Sequence, residues 1–153
     1  MRLSKNFWLS EMVKSNFAKR LKIDNTPPTE AIVSLTALAT TCLQPIRDVH
    51  GVVSISSGYR CAALNKACNS GPHSQHILGE AADFECNSVD NKVMAQWISN
   101  NLPVWDDLIL EYYEDGDSDS GWLHISFKRD GSNRKRVRKA VIENGKTVYK
   151  DGF

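Results

Sequence analysis

The stretch HSQHILGEAADF, residues 73–84, holds half of the chain's four histidines and ends in an acid after a run of very small residues. If residues 80–86 form a strand, Ala81, Asp83 and Glu85 share one face while Ala82, Phe84 and Cys86 share the other. Phe84 and Cys86 suit a core, which turns Asp83 away from it beside an alanine too small to block access. Gly79 lets the backbone bend and bring His76 over the same face. A histidine and a carboxylate converging there make two ligands of borderline hardness, suited to zinc. A catalytic zinc needs a third protein ligand and an open position for water, and no His-Glu-x-x-His helix is present to supply it.

A hairpin later in the chain offers the third ligand. Residues 106–113 (DDLILEYY) and 121–127 (GWLHISF) alternate as two strands. Leu108, Leu110, Leu123, Ile125 and Phe127 have core parity, which leaves Ile109, Glu111, Tyr113, Trp122, His124 and Ser126 on the opposite face. A hairpin symmetric about Asp117 and Ser118 predicts that Glu111 stands directly across from His124. A carboxylate beside an activated water is the arrangement a general base needs.

These residues need a scaffold to position them. Residues 9–21 predict a first helix, capped by Ser10 and carrying Val13, Phe17 and Leu21 on one side. The paired prolines of DNTPPTEA break the chain. Thr29 then caps a longer helix with an apolar stripe from Ile32 to Ile46, which Pro45 should kink or end and Gly51 should close. VVSISS is a short strand with Val53 and Ile55 inward, and CAALNKAC is a short helix. Ser88 caps another helix, with Val89, Val93, Trp97 and Ile98 on one side. RKAVIENGKTVYK is a second hairpin turning at Asn144-Gly145. Helices first and antiparallel strands later predict an α+β domain. The expected division is one domain over 1–153, with a helical part at 1–50, a metal-site core at 51–127 and a basic C-terminal hairpin at 128–153.

The ordered blocks resemble a known family. SxHxxGxAxD (Ser74, His76, Gly79, Ala81, Asp83), an upstream SGYR (Ser57 to Arg60) followed by Leu64-Asn65, and a downstream WLHIS are together similar to the zinc D-Ala-D-Ala carboxypeptidases. That family includes phage endolysin peptidases and shares the Hedgehog/DD-peptidase fold. The resemblance implies a central antiparallel sheet with helices packed on one face, and one zinc ion held by His76, Asp83 and His124. It implies that Arg60 steadies the substrate's carbonyl or oxyanion, as a guanidinium that keeps its charge can do. Many relatives carry the catalytic acid in a Glu-x-x-His arrangement, whereas here the window before His124 is SGW. Glu111 is therefore expected to act as the base, with Glu114 and Asp119 as weaker choices. Ser74, His73 and Trp122 are expected to line the substrate site. The implied reaction is hydrolysis of peptidoglycan peptides, by a carboxypeptidase or an endolysin-type endopeptidase. The alternative is a zinc-binding or wall-binding module of the same fold without catalysis.

Composition sets limits on the rest. With 153 residues, 41% apolar and 24% charged, the chain can bury a core without staples. The formal charge of +1 excludes whole-molecule polyelectrolyte behaviour. The opening MRLSKNFWLSEMVKSNFAKR lacks a signal peptide's apolar run, and no later segment is long enough to span a membrane. Cytoplasmic synthesis is expected, with action on the cell wall after release if the protein is phage-derived. The four cysteines read as free, small, buried hydrophobes, and a monomer is expected. DGDSDSG opens like a calcium loop but has Ser126 where a bidentate glutamate belongs, so a solvated loop is the better reading. The basic tract at residues 128–139 has no interleaved aromatics, so a solvated strand and turn is expected rather than a nucleic-acid surface.

Overall fold

The structure, a computed structural model, describes residues 1–153. The first predicted helix is two, α1 (Leu9–Val13) and α2 (Asn16–Leu21), because Lys14 turns extended and Ser15 starts a new cap by accepting from the Ala18 N–H. Glu11, not Ser10, satisfies the start of α1 by accepting from the Trp8 N–H at 2.7 Å. Helix α3 (Thr29–Leu38) follows Pro28 and runs through a widened turn, Ala39–Leu43, into α4 (Gln44–His50). In that turn the Gln44 N–H reaches back five residues to Ala39 O. The widening relieves the clash that Pro45 would make with the carbonyl four residues before it, so the helix continues past its proline. Gly51 ends it at φ 87°.

Strand β1 (Val53–Ser57), helix α5 (Ala62–Ala67), a 3-10 turn (Gln75–Leu78) and strand β2 (Ala81–Cys86) come next. Helix α6 (Asn91–Asn101) is capped by Asp90, two residues after the expected Ser88, and buries Asn91, Met94, Ala95 and Ile98. Val93 is exposed, because the face turned to the core is the one that carries Met94, Ala95 and Ile98. Strands β3 (Asp107–Glu111), β4 (Trp122–Ser126), β5 (Arg136–Glu143) and β6 (Lys146–Asp151) complete one sheet in the order β1-β2-β4-β3-β5-β6.

The sheet is α+β in setting and mostly antiparallel, with one parallel pair, β3 with β5. Both edges of β4 are taken by β2 and β3, so the chain leaving β4 crosses to the free edge of β3. Asn144 and Gly145 both have positive φ and close the last hairpin, as a tight turn of that sequence requires. One sheet face presents Phe84, Leu108, Leu110, Leu123 and Ile125 to a core shared with Leu35, Leu38, Leu43, Ile46 and Ile98 from the helices. Each large side chain buried there contributes roughly 1.5–3 kcal/mol. All four cysteines are free, but only Cys42 and Cys86 are buried as expected, while Cys61 is half-buried and Cys68 exposed.

Strand β5 is tied to the sheet by charge as well as by its ladder. Arg134 grips the fully buried Asp106 through Nε (2.9 Å) and Nη2 (2.7 Å), with Lys128 at 3.5 Å. Arg136 and Arg138 both fork onto Asp107, their Nη2 atoms 2.6 and 2.5 Å from Oδ2. Burial pushes the Asp106 carboxyl up, but the Arg134 hydrogen bonds and nearby charge more than reverse this and bring it down to about 2.

Two predictions follow from these contacts. Gly79 sits at φ 71°, and a Cβ there would lie 2.4 Å from Ala31 O, whereas Gly145 at φ 73° faces open space. Gly79→Ala should therefore destabilise by about 2 kcal/mol or more and Gly145→Ala by about 1 kcal/mol. Urea unfolding of the two variants measures the difference, and equal losses would refute the packing argument. For Asp106 the folded pKa lies below the ordinary carboxylate value, so its contribution is full above that value and disappears as pH falls towards about 2. Asp106→Asn should be less stable than wild type at about pH 5, with the gap closing by about pH 2. A gap that stays constant over that range would contradict it.

Candidate metal centre

The SGYR segment is pinned beneath α1, where Gly58 passes so close that a Cβ would lie 2.3 Å from Met12 O. That close approach, with the Tyr59 N–H on Met12 O at 2.8 Å, fixes the direction of the Gly58 carbonyl. The carbonyl accepts from His76 Nδ1 at 2.7 Å. A carbonyl can only accept, so Nδ1 carries the proton and Nε2 is left as the lone-pair nitrogen. The His76 carbonyl in turn accepts from the Arg60 N–H at 3.1 Å, and the Ser74 hydroxyl caps the turn by accepting from the His76 N–H at 3.4 Å. Gly79 then reverses the chain into β2.

Along β2 the alternation places Ala82, Phe84 and Cys86 in the core and Asp83 on the other face. His76 Nε2 lies 3.4 Å from Asp83 Oδ1, and His124 Nδ1 lies 2.9 Å from the same oxygen. The ligand atoms of His76, Asp83 and His124 all fall within 4.8 Å of one another. Neighbouring ligands of a tetrahedral zinc stand about 3.3 Å apart, so this spacing fits a single ion. His124 Nδ1 would have to give up the proton it donates to Asp83 in order to bind the ion. Two imidazoles and a carboxylate form a three-ligand set that leaves a fourth position open.

Arg60 holds Asp83 from the far side, with Nη2 on Oδ2 at 3.0 Å, Nε on Ser57 Oγ at 2.9 Å and Nη1 on Ser70 Oγ at 3.0 Å. Burial would raise the Asp83 carboxyl, but His76 and His124 outweigh it and hold the group well below its usual range. Burial pushes His76 down, while for His124 the hydrogen bond to Asp83 overcomes burial and raises it. Glu111 Oε1 stands 4.0 Å from His124 Nδ1. Burial, with Asp83 adding repulsion, pushes Glu111 up to about 7.

The hairpin register differs from the symmetric one. His124 pairs with Ile109, and Glu111 pairs with Trp122, so Glu111 reaches His124 on the diagonal rather than directly across. Tyr112, at φ 53°, leaves the strand conformation, and Gly121, at φ 67°, passes close under Glu111 O. These two residues start and end the loop one step earlier than a turn centred on Asp117-Ser118. The same break reverses the alternation after Glu111. Tyr113 packs on the core side and donates to Asp90 at 2.7 Å, while Tyr112 joins the site face beside Trp122, with ring centroids 5.1 Å apart.

The site opens into a cleft of about 980 Å³ that His73, Ser74, Trp122 and Tyr149 help to line. His73 is exposed on its wall and takes no part in the three-residue cluster. The basic tract lines this cleft too, through Lys128, Arg134, Arg136 and Arg138. A solvated strand and turn therefore describes it incompletely. Alternation in the sequence puts Arg136 and Arg138 on one strand face, but it does not show the parallel pairing of β3 with β5 that sets them beside Asp107.

No curated protein matches the chain. The family model described as peptidase M15 matches residues 5–112, a span that holds Arg60, His76, Asp83 and Glu111 but stops before His124. Peptidases of this family are zinc-dependent, and the donor set of the cluster suits that ion. The match covers most of the sequence, and the chain belongs to the peptidase M15 family.

Proposed function

We propose that this chain is a zinc metallopeptidase hydrolysing peptide bonds of peptidoglycan, with one zinc ion held by His76 Nε2, Asp83 Oδ1 and His124 Nδ1. The observation that carries the reading is the meeting of those three ligand atoms within 4.8 Å in a cleft, with the Glu111 carboxylate 4.0 Å from His124 Nδ1. Zinc, when bound, supplies Lewis acidity and makes a water nucleophilic near neutral pH. Glu111 Oε1 takes the proton from the attacking water and returns it to the leaving amine nitrogen. Arg60 orients Asp83 through Nη2, and the second N–H of Nη1 or Nη2, beyond those given to Ser70 and Asp83, serves the developing negative charge on the scissile carbonyl oxygen. Ser74 keeps His76 in place by capping its turn, and His73 and Trp122 bound the groove in which the peptide lies. Carboxypeptidase and endolysin-type endopeptidase activities both use such a centre and differ in the product released. A phage-derived chain of this kind acts on the wall after release from the host.

Metal analysis and digestion of purified sacculi test the reading together. Wild type should hold about one zinc per chain, and His76→Ala and Asp83→Ala should each lose it. Glu111→Gln should keep the ion while slowing the release of free amines by about 100-fold or more. Mass spectrometry of the digest identifies the bond, since free alanine marks a carboxypeptidase and larger fragments an endopeptidase. Stoichiometric zinc that survives both ligand substitutions, or sacculi left intact by the zinc-loaded protein, would remove the proposal.

A further inference from the structure

The metal-site residues and the basic tract lie on one face of one sheet. Cross-strand pairing runs from Asp83 to His124, from His124 to Ile109 and from Ile109 to Arg138, a straight row over β2, β4, β3 and β5. Two strand spacings separate His124 from Arg138, about 10 Å. Arg136 and Arg138 alternate along β5 and so stand about 6.7 Å apart on that same face, and Arg134, just before the strand, lines the same cleft. Four cations, Lys128 and the three arginines, meet only the two carboxylates of Asp106 and Asp107. The wall therefore keeps an excess of positive charge although the chain as a whole is nearly neutral.

The arginines are also pre-set for a ligand. Each uses Nε and Nη2 on its aspartate and leaves Nη1 without a protein partner. Arg138 is held further by the Tyr149 ring, 4.6 Å below its guanidinium carbon, and its side chain is only 19% exposed. A guanidinium fixed by an aspartate fork and an aromatic face has already lost the rotamer freedom that binding would otherwise take away. An aspartate shared by two arginines cannot neutralise both.

We propose that Arg136 and Arg138 form an anion subsite that binds a carboxylate of the peptide substrate, and so select acidic peptides in this cleft. The inference rests on the peptidase reading of the site. An extended peptide advances about 3.3–3.6 Å per residue, so the recognised carboxylate lies within two to three residues of the bond that is cut, counting the reach of its own side chain. The fork of Nε and Nη2 is spent on Asp107, but the outer end of each guanidinium, Nη1 with the second N–H of Nη2, still presents paired N–H groups to a planar carboxylate. Arg134 and Lys128 extend the positive field along the wall and guide the acidic ligand inward.

Calorimetric titration of the zinc-loaded chain carrying Glu111→Gln tests this without turnover. The probes are an alanyl-glutamyl-lysyl-alanyl-alanine peptide with its free glutamyl carboxylate and the same peptide with that carboxylate amidated. The free acid should bind about ten-fold or more tightly than the amide, and Arg136→Gln with Arg138→Gln should abolish the preference. Those substitutions strip Asp107 of its partners, so Asp107→Asn gives a second reading with the opposite sign. It releases both guanidiniums and should strengthen the preference for the acid. Equal affinity of the unsubstituted wall for the two peptides overturns the proposal, as does a preference that survives loss of both arginines. Failure of the wild-type chain to cleave either peptide would count against the peptidase reading, while the binding comparison judges the subsite alone.

Discussion

A single buried carboxylate, that of Asp83, holds the functional half of this protein together. Its two oxygens meet His76, His124 and Arg60, which come from a 3-10 turn, strand β4 and the SGYR loop. Burying a carboxylate without partners is costly enough that the group would protonate instead. Here the two histidines reverse the effect of burial and keep Asp83 ionised, and Arg60 satisfies its second oxygen. Each partner is itself fixed by backbone. His76 is aimed by the Gly58 carbonyl, Gly58 by its close approach to α1, and His124 by the ladder between β2 and β4. Orientation of the candidate ligands is therefore inherited from the main chain, which is the more rigid source.

The sheet divides labour between its faces. One takes Phe84, Leu108, Leu110, Leu123 and Ile125 into the core, and the other carries every group with chemistry to offer. Along that second face the charge changes character from strand to strand. Histidines and acids gather over β2, β4 and the end of β3, and arginines over β5. Asp107 sits between these regions and ties β5 to β3, so it both shapes the cationic wall and limits its charge.

Much of this was legible in the sequence, because period-two alternation decides which residues can share a face. The separation of Asp83 from Phe84, and of His124 from Leu123 and Ile125, follows from alternation alone. The convergence of His76 with Asp83 needed only the bend at Gly79. What alternation cannot give is register, because that depends on how the loop between two strands is closed. A positive φ at Tyr112 is unusual for a bulky residue and has no local signature, so the pairing of Glu111 with Trp122 was hidden. The split at Ser15 and the widened turn before Pro45 were hidden for a related reason. The apolar spacing runs straight through Lys14 and Ser15, and Pro45 announces an interruption without saying that a widened turn carries the helix past it. The role of the basic tract was missed because its partners, Asp106 and Asp107, are brought beside it by a parallel strand crossing that the hairpin pattern does not announce.

That topology also bears on what the family match covers. Residues 5–112 contain β1, β2 and β3, yet β2 and β3 do not pair with each other. Strand β4, beyond the matched span, lies between them and supplies the hydrogen bonds of both inner edges. Without it, Asp83 and Glu111 would stand on two separate sheet edges with unpaired backbone groups, and the third nitrogen of the cluster would be missing. The matched segment therefore holds most of the side chains of the site but cannot by itself bring them together. The strand that carries His124 is at once a source of ligand and the piece that closes the sheet, so the centre forms only when the sheet does.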